Sequence, residues 1–243
     1  MLILDAGGFA RKVTNANLKI EYLLKGFAKI GYHAVNLSAI DMDAAGEAVR
    51  KAAESGDITF VTANLYDSHG KRLPFTRQWL IVKPFGPDGP KVGIFGVTEI
   101  PRNPLISQKF KVTDPVQAAR DVVRKLRKKV DLVVALAYMP EASVSKLAQE
   151  VGGVDLFIAG RSTYRIRGPH KVGSTYIAVN GNQGKYIGDI RYRWDAHGKP
   201  RLEEGELVPL DKHVPEDPTL KKIVDAYNQA LRKYYRQQLK VKK

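Results

Sequence analysis

Three observations predict an α/β fold. Strand-length apolar runs alternate with segments whose apolar residues recur at helical spacing over the first two-thirds of the chain. Residues 132–137 are apolar throughout, as in strands buried on both faces. With 243 residues, 44% of them hydrophobic, the chain can bury the core of one ordinary domain or two small ones.

Each element has its own signal. Leu2-Ile3-Leu4 reads as a buried strand with Asp5-Ala6-Gly7-Gly8 as its exit turn. Leu18, Ile20, Leu23, Leu24, Phe27 and Ile30 mark a helix over 15–30, and Gly31 stands where a left-handed cap belongs. A short strand over 34–37, a polar-faced helix over 43–55 and a strand over 58–64 follow. Runs at 79–82 and 92–97 flank Gly86-Pro87-Asp88-Gly89, which suggests a hairpin or two adjacent strands. A helix over 115–129, the strand 132–137, a helix over 141–151 and a strand over 156–159 continue the alternation. After Gly160 the pattern becomes mostly β, with strands at 175–179, 186–194 and 201–208 read as an antiparallel meander. Asp217-Pro218 then opens a terminal helix with Leu220, Ile223, Val224, Tyr227, Leu231 and Tyr234 as one apolar stripe.

Composition narrows the chemistry. Forty Lys and Arg against 25 Asp and Glu give a net charge of +15, which brings nucleic acid, an anionic membrane or an acidic protein face into consideration. With no Cys there is no disulfide framework, no Cys-ligated metal and no Cys nucleophile. No apolar run approaches the ~20 residues that span a bilayer. The start has neither the basic head nor the apolar stretch of a signal peptide.

Local motifs carry little chemistry alone. The five His are far apart, and His69 beside Asp67 suits a surface turn as well as a ligand. The Gly pairs lack nucleotide-loop spacing, and Ser38, Ser143 and Ser162 lack the elbow of a serine hydrolase. Bases cluster at 124–129, at 161–171 and at 232–243. The first and last sit at helix C-terminal ends, where they oppose the macrodipole. The middle one follows a strand's C-terminal end, where α/β sheets bind ligands, so it suggests an anion pocket.

Taken in order, Asp5-Ala6-Gly7-Gly8, Gly31-Tyr32-His33-Ala34-Val35, Val61-Thr62-Ala63-Asn64-Leu65, Val92-Gly93-Ile94-Phe95-Gly96-Val97-Thr98, Asp131-Leu132-Val133-Val134-Ala135-Leu136-Ala137, Val154-Asp155-Leu156-Phe157-Ile158-Ala159-Gly160 and Gly184-Lys185-Tyr186-Ile187-Gly188 are informative together. The sequence resembles the N-terminal domain of 5'-nucleotidases and UDP-sugar hydrolases, a branch of the calcineurin-like metallophosphoesterases. The resemblance runs from residue 2 to about residue 193. It implies a two-sheet αββα sandwich whose first strand has no counterpart here. It also implies a domain over 1–212, and residues 213–243 as a basic amphipathic helix resembling the family's linker.

The family's chemistry uses two metal ions to activate water for attack on phosphorus. On this resemblance the bridging Asp position falls on Gly8. The Gly-Asn-His-Glu/Asp motif falls on Ser38-Ala39-Ile40-Asp41, a later His on Tyr138, and the closing Gly-His-x-His on Gly160-Arg161-Ser162-Thr163. None of Gly8, Ala39, Ile40 or Arg161 can stand in for a carboxylate or imidazole, and Arg161 would bring positive charge to a cation site. The expectation is therefore a non-catalytic protein with no cofactor. Asp5, Gly8, Asp41, Asp43, Asn64, Tyr138, Arg161, Thr163 and Arg165 would edge a degenerate site for an anionic or phosphate-bearing molecule, or an acidic protein partner. One alternative is an active phosphoesterase holding two divalent metals such as Mn or Zn through Asp5, Asp41, Asp43 and Asn64. The other is nucleic-acid binding through the basic tail. Family members are often exported, which would require a leader not evident in the sequence.

Overall fold

The computed structural model describes residues 1–161, 167–180 and 184–241. Along the chain, β1 (Leu4–Asp5) leads to α1 (Ala16–Ile30), β2 (Ala34–Asn36), α2 (Ala39–Glu54), β3 (Phe60–Val61), β4 (Leu65–Asp67), β5 (Thr76–Arg77), β6 (Trp79–Val82) and β7 (Val92–Thr98). Next come α3 (Pro104–Lys109), β8 (Phe110–Val112), α4 (Pro115–Leu126), β9 (Leu132–Pro140), α5 (Glu141–Glu150), β10 (Leu156–Arg161), β11 (Arg167–Val172) and β12 (Thr175–Val179). A hairpin of β13 (Tyr186–Trp194) and β14 (Pro200–Pro209) precedes α6 (Pro218–Val241).

Two sheets stack face to face. One is parallel, in the order β1-β2-β3-β5; the other runs β11-β12-β10-β9-β7-β6, with β6 and β11 as antiparallel edges. Alternate residues of the central strands serve two cores, because successive side chains point to opposite faces. Val92, Ile94, Val134 and Leu136 pack between the sheets with Ala34 and Val61. Phe95, Val97, Val133 and Ala135 pack outward against Val122, Leu126 and Leu147 of α4 and α5. On the other outer side, Ile20, Leu24 and Val49 of α1 and α2 cover Val35, Leu37 and Phe60. The result is an αββα sandwich, and burial on both faces explains why residues 132–137 are unbroken by a polar residue.

The helix ends follow from local chemistry. Gly31 closes α1 at φ +86, its N–H bonding to the carbonyls of Phe27 and Ala28. Asp114 caps α4 by accepting from the Gln117 N–H, with Pro115 in the first turn. Asp217 caps α6 through the Thr219 and Leu220 N–H groups at 2.8 and 2.9 Å.

Several expectations need correction. The helix expected over 43–55 begins four residues earlier, because Ser38 and Asp41 form a capping box, and it kinks at Ala45. The region after Gly160 is not a simple meander: β12 joins the main sheet parallel to β10, with Leu156 beside Tyr176. Among the described residues there, β11–β12 and β13–β14 are the antiparallel pairs. In α6, Val224 leaves the packing stripe and stands 55% exposed. The pair β4–β8, the strand β5 and the short α3 are elements that the sequence pattern did not reveal.

Candidate ligand site at the strand ends

The C-terminal ends of β1, β2, β7, β9 and β10 converge on one edge of the sandwich, the edge at which open α/β sheets bind ligands. Asn36 joins the two sheets there. Fully buried, it donates through Nδ2 to the carbonyls of Ala6 at 3.0 Å and Val97 at 2.9 Å. Gly96 permits this approach, since a Cβ on it would stand 2.1 Å from Asn36 Oδ1.

Asp41 is equally committed. Its Oδ2 accepts from the Gly8 N–H at 3.0 Å, the Ser38 N–H at 3.1 Å and the Ser38 hydroxyl at 2.6 Å, while Oδ1 accepts from the Ala10 N–H at 2.9 Å. These bonds hold the loop after β1 onto the start of α2. Burial pushes the Asp41 carboxyl up from its ordinary value, against the opposing pull of those donors. Asp5 accepts from the Gly7 N–H at 2.8 Å, and burial raises its pKa to about 6 despite that bond, with the nearby Asp41 charge adding to the rise.

Tyr138 fills the centre. A Cβ on Gly8 would lie 1.8 Å from Tyr138 Cε2, and one on Gly160 would lie 3.2 Å from Tyr138 Cδ2, so the ring packs directly over both glycines. Gly8 is also at φ +77, a conformation that L side chains rarely adopt. Burial, followed by the Asp41 charge, raises the Tyr138 pKa, so its hydroxyl stays protonated at neutral pH. The guanidinium of Arg161 lies over the ring at 5.9 Å and pairs with Glu99. Beside this pair opens a cleft of about 270 Å³, lined by Ile40, Glu99, Arg102, Asn103, Tyr138 and Arg161 among others.

The structure brings Asp5, Gly8, Asp41, Tyr138 and Arg161 together. It turns two other expected site residues to different work. Asn64 is buried, donating to the carbonyls of Thr98 and Thr113 and accepting from the Thr98 N–H, so it ties three strand ends. Asp43 is held by Lys109 at 2.6 Å and Lys12 at 3.3 Å, and these cations keep its carboxyl below the usual range. Thr163 and Arg165 lie outside the described residues. Of the expected basic cluster, Arg161 reaches the cleft, whereas Lys171 sits over Tyr176 at the sheet edge. His69 and Lys71 both donate backbone N–H groups to Asp67 in an ordinary turn. Glu99, Arg102 and Asn36 are site residues that sequence reasoning missed. Asn36 alone carried a signal, as a lone amide inside an apolar strand.

The donor set does not fit a pair of divalent ions. Among the described residues no three His, Asp or Glu side chains gather where they could hold a metal. Of the carboxylates at this edge, Asp41 spends both oxygens on four donors and Glu99 is paired with Arg161.

Fold and site together define an αββα sandwich whose strand-end edge is filled by an aromatic ring and an ion pair. No family model matches the chain. It is 27% identical over 248 aligned positions to a 5'-nucleotidase of Vibrio cholerae, covering 87% of this chain and 44% of that protein. In structure it resembles a 5'-nucleotidase precursor from Thermus thermophilus, with a TM-score of 0.77 at 22% identity over 95% of this chain and 49% of the other. The calcineurin-like phosphoesterase YfkN from Bacillus subtilis superposes with a TM-score of 0.73 at 17% identity, covering 97% of this chain and 85% of that one. The fold is thus that of the calcineurin-like phosphoesterases, and the resemblance within them is to the N-terminal domain of 5'-nucleotidases. The chain spans about half the length of these two 5'-nucleotidases.

Proposed function

We propose that this chain is a non-catalytic relative of the 5'-nucleotidase phosphoesterase domain that binds an anionic, phosphate-bearing molecule at its strand-end cleft. The observation that carries this reading is the Tyr138 ring seated on Gly8. The resemblance assigns a bridging metal carboxylate to position 8, and there is no room for one beneath the ring. Among the described residues, Asp41 spends both oxygens on donors, Glu99 pairs with Arg161 and Asp5 accepts from the Gly7 N–H, which supports an edge without a carboxylate cluster to hold metals around an attacking water. What the cleft offers is guanidinium N–H donors. The guanidinium of Arg161 has five N–H donors, spends one bond on Glu99, and lines the cleft together with Arg102.

Calorimetric titration with inorganic phosphate and with AMP tests the proposal, alongside an AMP hydrolysis assay in manganese. Binding is expected in the native chain, and Arg161→Ala should weaken it about tenfold or more, as loss of a charge-assisted hydrogen bond implies. AMP release of phosphate should match the protein-free rate. Turnover above that rate would remove the non-catalytic reading, and equal affinity in the Arg161 variant would remove the anion cleft.

A further inference from the structure

The terminal helix carries features that the cleft does not use. One stripe of α6 rides on α1, with Tyr227 against Tyr22 at 5.7 Å and the Tyr234 hydroxyl donating to the Thr14 carbonyl at 3.0 Å. Yet none of its described side chains is fully buried. A second apolar row lies beside the first. Val224, Tyr235 and Leu239 are 55%, 51% and 68% exposed. Val224 and Tyr235 are about three helical turns apart, and Leu239 is about one turn further on, so all three share a face. Arg232 and Arg236 flank that face one turn apart. Neither they nor Lys233 has an ion-pair partner among the described residues. After Asp225 the sequence has Arg232, Lys233, Arg236, Lys240, Lys242 and Lys243 and no acidic residue.

We infer that this outer face of α6 docks the protein on an anionic phospholipid surface, lying in the plane of the headgroups. The observations favour lipid over other polyanions because exposed apolar and basic residues adjoin on the same side of the helix. A nucleic acid, or a protein face made of carboxylates alone, would neutralise the bases but leave Val224 and Leu239 wet. The boundary between headgroups and acyl chains takes both, with the long basic side chains reaching back to the phosphates. Four to eight bases on one amphipathic helix is also the charge that anionic membranes attract. No helix among the described residues is long and apolar enough to cross a membrane, so the contact would be peripheral.

The test is co-sedimentation of the full chain with phosphatidylcholine vesicles, with and without phosphatidylglycerol, at low and high salt. Binding is expected only to the anionic vesicles and should fall steeply with salt. Arg232→Gln with Arg236→Gln should lower the partition coefficient about thirtyfold, taking the usual contribution of each base near a charged membrane. Tyr235→Ser with Leu239→Ser should lower it about tenfold or more through lost apolar burial. Both pairs are exposed, so their melting temperatures should match the native chain and separate docking from folding. Equal binding to neutral vesicles, or no sedimentation with either kind, overturns the inference. So does unchanged vesicle binding by the serine pair, which would make the tail a general polyanion surface.

Discussion

Substituting Gly8 by Ala tests the packing on which the site description rests. Two penalties follow from the structure. The backbone sits at φ +77, where an L residue costs about 1–2 kcal/mol. The new methyl would stand 1.8 Å from Tyr138 Cε2 and 2.4 Å from Cζ, forcing the ring out, and such overpacking costs about 1–3 kcal/mol. The sum, about 2–5 kcal/mol, is a large share of the roughly 5–15 kcal/mol that holds a domain folded. Tyr138→Ala should remove the second penalty but not the first. In a double-mutant cycle, Gly8→Ala should therefore cost about 1–3 kcal/mol less when the ring is gone. Urea unfolding of the four chains measures the coupling. Additivity within about 0.5 kcal/mol would mean that the ring does not occupy the space over Gly8, and the reasoning fails.

Two further perturbations probe the same edge. Asn36→Ala should cost about 2–4 kcal/mol by stranding the carbonyls of Ala6 and Val97, and a loss below about 0.5 kcal/mol in urea would show that Asn36 does not tie the sheets. Asp5, whose pKa is raised to about 6, favours the folded state below the ordinary carboxylate pKa and loses that contribution as pH rises through 6. Asp5→Asn should therefore exceed the native chain by on the order of 2 kcal/mol at pH 8, with the gap closing between pH 6 and 4. A gap constant with pH in urea melts would refute the raised pKa.

What the sequence discloses here follows the range over which each signal acts. Gly31, Asp114 with Pro115, and Asp217 with Pro218 speak through their own backbone, so the ends they set are readable directly. The apolar run at 132–137 declares a strand buried on both faces. Alternation does not encode strand direction, however, so the parallel union of β12 with β10 is invisible in residues 175–179. Ser38 and Asp41 have the spacing of a capping box, yet the resemblance assigns the same four residues to a ligand motif, and the local hydrogen bonds decide in favour of the helix start. Asn64 and Asp43 suit a polar site by type. Only tertiary placement turns one toward Thr98 and Thr113 and the other toward two lysines. The fit of Tyr138 to Gly8 joins residues 130 positions apart and exists only in the folded chain.

Metal content addresses the non-catalytic reading most directly. After incubation with manganese and gel filtration, plasma mass spectrometry of the chain should find clearly less than one ion per molecule. Two tightly held ions per chain would show that Asp5, Asp41 and their neighbours can open into a dinuclear centre, and would return this domain to the hydrolases.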